Sequence, residues 1–366
     1  MNIVLFCHSL RSDWNNGNAH FLRGVVSELS RRGHAVRVHE PSDGWSAQNL
    51  VADAGESALE SYREQYPRFC PEPYRLEGLD LERAIDGAEL VLVHEWNPPE
   101  LVRRIGAHRK AHGGYRLLFH DTHHRLLTAP EEIAAFDLSG YDGVLAFGEV
   151  LRQRYAALGW GARAFTWHEA ADTHVFYPRP RRERDGALVW VGNFGDEERR
   201  RELSEFLLEP VRALGLAARV YGVRYPDDAR SALAQAGIDF AGWLPNYEVP
   251  GVFAQFDMTV HVPRRPYAAA LHGIPTIRPF EALACGIPLV SAPWEDSENL
   301  FSPGQDYVVA CNGTEMTRWL RALAHDRELR AALSERGLAT IRARHTCAHR
   351  VTELLGLVDA LAGVST

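Results

Sequence analysis

Short apolar runs recur along the whole chain, each followed by a polar or glycine-bearing loop and then a helical stretch. Asn2–Cys7, Ala35–His39, Glu89–His94, Tyr115–His120, Tyr141–Phe147 and Ala164–His168 are the runs of the first half. Ala187–Val191, Arg219–Gly222, Ile238–Leu244, Met258–Val262, Ile287–Ser291 and Asp306–Ala310 are those of the second. A strand that is apolar without alternation must be covered on both faces, which points to parallel strands under helices. Such β–α–β units cross over with one hand and place their ligand loops at the carboxyl ends of the strands. The fold class is therefore α/β. Between the runs, His20–Arg32 has helical spacing through Phe21, Val25 and Leu29, and Gly313–Ala343 reads as two helices. The spacing of Val351, Leu354, Leu355, Val358 and Leu361 predicts a final amphipathic helix from His345. Residues 45–80 are polar and irregular, and are expected to form surface helices.

At 366 residues the chain has material for two domains of ordinary size. Arg179-Pro-Arg-Arg-Glu-Arg-Asp-Gly186, charged and apolar-poor, is the best linker. The expected division is an N-terminal domain over 1–178, a C-terminal domain over 179–345 and a closing helix over 346–366. Hydrophobic residues at 46% and charged ones at 24% suit a globular chain, and a net charge of −8 excludes a generic nucleic-acid binder. No apolar run is long enough to cross a membrane, and Met1 leads directly into a strand rather than a signal peptide. Five cysteines, without a Cys-x-x-Cys pair, are expected to be reduced thiols in a cytoplasmic protein. Lys110 is the only lysine, so there is no P-loop lysine and arginine must handle any phosphate.

One stretch concentrates the chemistry. In Leu271–Ser291 a loop leads to a short helix and then a strand. Thr276 is a candidate N-cap, Pro279 is tolerated in the first turn, and Gly286 stops the helix. The free N–H groups at Ile277 and Arg278, with the Arg278 charge, make a seat for a phosphate. Glu281, one turn further, is placed to accept from a pair of sugar hydroxyls. Gly192-Asn193, after the strand Ala187–Val191, repeats the strand–glycine-loop–helix design, and Arg199, Arg200 and Arg201 follow in the expected helix from Asp196. In the first half, Gly17 in the loop Arg11–Asn18 would let backbone approach a ligand closely. The absence of a Gly-x-Gly-x-x-Gly pattern argues against a dinucleotide. His120 ends a strand and is the candidate for chemistry there. A zinc site from His120, Asp121, His123 and His124 is disfavoured, because neighbouring residues at a strand end point different ways.

Arg278-Pro-Phe-Glu-Ala-Leu-Ala-Cys-Gly-Ile-Pro-Leu-Val290, Phe301-Ser-Pro-Gly-Gln-Asp-Tyr307 and Arg344-His-Thr346 together resemble a GT-B glycosyltransferase. The resemblance is to the spore-maturation (CgeB-type) glycosyltransferase-like proteins within the broader family-four style. Trp14–Asn18 with Arg31–Val36 is similar to the family's N-terminal signature. Val93–Pro99 and Phe119-His120 are similar to the histidine-bearing strand ends of phosphatidylinositol mannosyltransferase-like enzymes. The resemblance implies two Rossmann-like domains facing each other across a cleft, with the acceptor on the N-terminal one and a nucleotide-diphosphate sugar on the C-terminal one. It implies that Gly192 and Asn193 start the glycine loop, that Arg199 binds phosphate, and that Glu281 is the second Glu of a Glu-x7-Glu motif and a ribose ligand. Trp243, Leu244, His272, Thr276, Ile277 and Arg278 complete the implied donor site. The first Glu would fall at Gly273; that departure leaves the sugar open, and His272 beside it is a candidate replacement.

The resemblance further implies a retaining, metal-independent transfer with His120, Arg199 and Glu281 at the reacting centre. The sequence has no Asp-x-Asp metal motif. No cofactor is expected beyond a UDP-, GDP- or TDP-sugar donor, and the acceptor is open among small molecules, glycans and lipid-linked sugars. Rival readings are a non-catalytic GT-B-like structural protein that has lost donor chemistry, and a sugar-nucleotide epimerase on the same fold. A periplasmic binding protein shares the coarse architecture but would need an export signal.

Overall fold

The computed structural model describes residues 1–180 and 183–363. The chain forms two compact units, Met1–Glu169 joined by the segment from Cys347 onward, and Ala170–Thr346. The division falls at Glu169, ahead of the charged segment 179–186. Within that segment Arg181 and Arg182 lie outside the described residues, as do positions 364–366 of the expected closing helix.

The first unit holds a seven-stranded parallel sheet in the order β3-β2-β1-β4-β5-β6-β7. Its strands are β1 (Asn2–Phe6), β2 (Ala35–Pro41), β3 (Glu72–Tyr74), β4 (Leu90–His94), β5 (Arg116–Asp121), β6 (Gly143–Ala146) and β7 (Ala164–Thr166). The central strands are covered on both faces: β4 is buried at every position, and β1 from Ile3 to Phe6. The apolar run was thus a true signal of a parallel sheet. β3 corrects the reading of 45–80 as helical throughout. Helices Trp45–Ala54 and Ser57–Gln65 do form, but Glu72–Tyr74 adds a strand beside His39–Pro41. A three-residue strand with a central proline, exposed at two of its positions, carries no apolar run to reveal it.

The helix Asn18–Arg31 buries Phe21, Leu22, Val25, Val26 and Leu29, and the closing helix Cys347–Gly363 lies against it. Arg32 donates to the Ala348 carbonyl at 2.7 Å and to Thr352 Oγ1 at 2.9 Å. Trp167 Nε1 donates to the Arg350 carbonyl at 2.8 Å. Val351, Leu354 and Val358 are the buried stripe of the closing helix. The last element of the chain is therefore part of the first unit.

The second unit holds a six-stranded parallel sheet in the order β10-β9-β8-β11-β12-β13. Its strands are β8 (Gly186–Val191), β9 (Ala218–Tyr221), β10 (Ile238–Gly242), β11 (Phe256–His261), β12 (Leu289–Ser291) and β13 (Val308–Val309). Leu188, Trp190, Val220, Met258, Val260 and Val290 form its centre. Each sheet starts in the middle, winds outward to one edge and returns to build the other. The order reverses between β1 and β4 in one unit and between β8 and β11 in the other. The loops leaving those strands diverge there and leave a crevice at their carboxyl ends.

Candidate functional site

The second-unit crevice is built from backbone upward. Gly192 follows β8, and a Cβ on it would lie 2.6 Å from the Trp190 ring, so no larger residue fits. Gly222 follows β9, and its Cβ would lie 2.1 Å from the Gly192 carbonyl oxygen, so the two loops touch backbone to backbone. Asn193 Oδ1 accepts from the Val223 N–H at 3.1 Å, and Tyr225 donates to the Gly192 carbonyl at 2.9 Å. These contacts fix the glycine loop before any ligand arrives.

Arg199 is the next part. The expected helix from Asp196 is instead a single 3-10 turn, Asp196–Glu198, followed by a helix from Arg200, and Arg199 sits at the break with φ −139°. The break turns its side chain inward. Its Nη1 donates to the Asn193 carbonyl at 3.0 Å, and its guanidinium lies 5.5 Å from the Trp190 ring centroid. Its Nε is fully enclosed and has no hydrogen-bond partner. Burial, with the charges of Arg264 and Arg278 behind it, pushes the Arg199 pKa down to about 9. Three guanidinium groups thus converge, and Arg199 faces no carboxylate among the described residues. Arg200 and Arg201 do not join them; both are exposed, and Arg200 pairs with Glu197 and Asp228.

Gly195, with φ +78°, lies against this cluster, since a Cβ there would be 3.4 Å from the Nε atoms of both Arg199 and Arg264. The sequence placed Gly195 at the end of the glycine loop but passed over Arg264 and Gly222, which have no motif of their own.

The helix Ile277–Ala284 supplies the other wall. Thr276 stands at its N-cap but makes no capping hydrogen bond, a correction to the expected hydroxyl cap. Its φ of +61° and ψ of 178° explain the difference, because that backbone conformation turns the side chain off the helix axis. The amide donors at the helix start are accordingly left without a side-chain cap, and Arg278 stands among them. Glu281 is completely buried. It accepts from Asn246 Nδ2 at 2.6 Å on Oε1 and from the Arg278 guanidinium on Oε2. Asn246, from the loop after β10, was not singled out in the sequence. Trp243 and Leu244 stand at the head of that loop, half-buried.

Gly273 has φ +86°, and a Cβ there would lie 2.6 Å from Glu298 Oε1. Glycine is therefore demanded by backbone and space. His272 pairs its Nδ1 with Glu295 Oε2 at 3.1 Å on a half-exposed surface.

His261, read only as part of a strand in the sequence, ends β11 at the switch point. It is 3% exposed. Its Nδ1 lies 2.9 Å from Ser291 Oγ, which itself donates to the Ala292 carbonyl. The imidazole is then the donor to Ser291, and its buried Nε2, which has no protein partner, keeps a lone pair. Burial, reinforced by Arg199 and Arg278, pushes its pKa down to about 3, so it is neutral.

Of the first-unit candidates, His120 is buried at the end of β5, 4.8 Å from Trp167 and 5.3 Å from His94 between ring centroids. Burial holds its pKa down at about 3. Gly17, expected to let backbone approach a ligand closely, precedes the first helix. Its φ of −63° is ordinary for any residue, and it is exposed before the helix Asn18–Arg31. Among the described residues no group of three or more His, Cys, Asp or Glu is arranged to hold a metal ion. Nor is any described helix long and apolar enough to cross a membrane.

Residues 199–356 match the family model described as glycosyl transferase-like. Anabaena HepE, solved with UDP and glucose, superposes with a TM-score of 0.65 at 13% identity, over 98% of this chain and 99% of that one. The fold is GT-B. Two further GT-B structures align over their whole lengths. The sucrose-phosphate synthase of Thermosynechococcus elongatus gives a TM-score of 0.61 at 14% identity, over 100% of both chains. The T4 phage β-glucosyltransferase gives 0.60 at 12% identity, over 99% of each. No curated protein matches the sequence. The family match and the GT-B neighbours together support a glycosyltransferase.

Proposed function

We propose that the chain transfers a sugar from a nucleotide-diphosphate sugar, a UDP-, GDP- or TDP-sugar, to an acceptor. The observation that carries this reading is the convergence of Arg199, Arg264 and Arg278 on an uncapped helix start beside a glycine loop. Arg264 pairs with Glu198 and Arg278 with Glu281, which leaves Arg199, with an enclosed and unpartnered N–H, as the cation that a polyanion would stabilise. A diphosphate departing from a sugar is such a polyanion. Preorganised donors aimed at the developing charge are the main source of catalysis in such a step. The three guanidinium groups and the amides at Ile277 and Arg278 fill that role without a divalent cation, which is the basis for reading the transfer as metal-independent. Glu281, held by Asn246 and Arg278, is the carboxylate read as the ribose ligand. His261 Nε2 is an acceptor for a further ligand hydroxyl.

The retaining course and the CgeB-type subgroup belong to the same reading and rest on the sequence resemblance through Arg278–Val290. HepE with its UDP and glucose is the structural relative that favours a uridine nucleotide.

Thermal denaturation with UDP-, GDP- and TDP-glucose tests the reading. A donor at one hundred times its Kd adds about 2.7 kcal/mol to the folded state, an easily read rise in midpoint. No rise with any of the three at millimolar concentration rejects it.

A further inference from the structure

The core of the second unit contains a cavity beside the glycine loop. The helix that begins at Arg200 widens into a π-turn over Ser204–Leu208, and a space of about 160 Å³ opens between it and the helix Asp227–Gln235. Trp190, Phe194, Leu203, Leu207, Tyr225 and Leu233 line it, each less than a tenth exposed. Protein interiors pack with few gaps larger than a water molecule, so core side chains around a space of this size lack packing contacts that an apolar occupant returns. A π-turn in a helix is an irregularity that recurs at functional sites.

The polar groups on the walls define the occupant. Ser204 Oγ donates to Glu209 Oε1 at 2.9 Å, and Tyr225 donates to the Gly192 carbonyl at 2.9 Å. Arg200 and Asp228, both exposed at the rim, bond to each other at 2.6 Å, and the Arg200 guanidinium lies 5.0 Å from the Phe194 ring centroid. These hydroxyls and charges already have partners, so a charged ligand would be desolvated without compensation, whereas an apolar one gains packing. An exposed ion pair is weak, and the rim opens at little cost. Size narrows the class further. An engineered apolar cavity of about 150 Å³ in another protein takes benzene.

Two of the walls also support the arginine site. The glycine loop lies against the Trp190 ring, since a Cβ on Gly192 would be 2.6 Å from it, and the Arg199 guanidinium stands 5.5 Å from the same ring. Tyr225 holds the Gly192 carbonyl. An occupant that packs on Trp190 and Tyr225 fixes the two rings on which the loop rests.

We propose that this cavity binds a small neutral apolar ring, of about six carbon atoms, whose presence orders the glycine loop and tightens nucleotide binding. Only the effector role rests on the donor reading.

Saturation-transfer NMR on the full chain tests the site, with benzene as the probe and benzoate as its anionic counterpart. Benzene is expected to be saturated, benzoate weakly or not at all. Ala229→Leu and Ala232→Leu each fill the space from the helix Asp227–Gln235, and each should weaken benzene binding at least about tenfold. Thermal midpoints identify which of the two folds like the parent. Calorimetric titration with UDP, in buffer and in buffer saturated with benzene, reads the effector role. The expected result is a Kd for UDP lower by about fivefold with benzene, a gain lost in the filled variants. No benzene binding, equal binding of benzoate, or benzene binding indifferent to both substitutions overturns the site. Benzene binding with an unchanged Kd for UDP overturns the effector role. Benzene binding that obeys the substitutions, in a protein that binds no UDP, rejects the donor reading and leaves the cavity site standing.

Discussion

Arg199 is held in a position that makes sense only with a ligand present. Its burial and the nearby Arg264 and Arg278 charges work against the guanidinium, while its side-chain hydrogen bond is to the Asn193 carbonyl. Arg199→Met removes a like charge and an awkward desolvation, at the cost of one hydrogen bond. Stability without ligand is expected to change by no more than about 1 kcal/mol, or to rise. UDP affinity should fall by about 1.5–3 kcal/mol, the worth of a hydrogen bond to a charged group. Calorimetric titration with UDP beside a denaturant melt measures both. A mutant that binds UDP like the parent removes Arg199 from the donor site. Arg200→Met is the internal control, because Arg200 is exposed and paired with Glu197 and Asp228.

At the scale of an element, the segment from Gly273 to Glu281 stores backbone strain directly ahead of a helix. Thr276 adopts φ +61° and Gly273 φ +86°, conformations that cost an ordinary residue roughly 1–3 kcal/mol. Thr276→Gly is expected to raise the unfolding free energy by about 1 kcal/mol, read as a higher denaturant midpoint. Gly273→Glu, which places a carboxylate where the resembled Glu-x7-Glu motif has its first Glu, is expected to destabilise by at least 1–2 kcal/mol, roughly the left-handed backbone cost alone. The new Cβ would also meet the Glu298 side chain. Urea melts of the two variants check both signs, and a Gly273→Glu protein as stable as the parent contradicts the account. The missing Glu is thus a consequence of how this loop turns against Glu298.

For the molecule as a whole, a buried neutral imidazole stands near the end of a central strand in each unit, His120 in the first and His261 in the second. The buried histidines also tie stability to pH. His261 titrates near 6.5 when unfolded and at about 3 when folded. Between those values the unfolded chain binds a proton that the folded chain refuses. Its contribution is therefore complete above pH 6.5 and is lost as pH falls toward 3. Replacing it by His261→Gln should flatten the acid limb of the stability curve by about 1.4 kcal/mol per pH unit over part of that window. Urea melts at pH 7, 6 and 5 read the slope, and an unchanged slope means His261 is protonated in the fold.

Sequence alone determined the α/β class, because unbroken apolar strands such as Leu90–Val93 can exist only between two covering layers. It also determined the local parts of the site, since Arg278 and Glu281 lie one helical turn apart and carry their own geometry. Residues recruited across the fold left no such trace. Asn246 meets Glu281 from a loop after an edge strand, Arg264 reaches Arg199 from beyond β11, and His261 looked like one more residue of a buried strand. The end of β11 became part of a site only when the strand order placed it beside β8. The Thr276 cap failed for the opposite reason: residue type suggests a capping conformation, but the packing around the loop selects the backbone. Tertiary structure decided these points because crevice position, burial and unmet hydrogen bonds are properties of neighbours far apart in the chain.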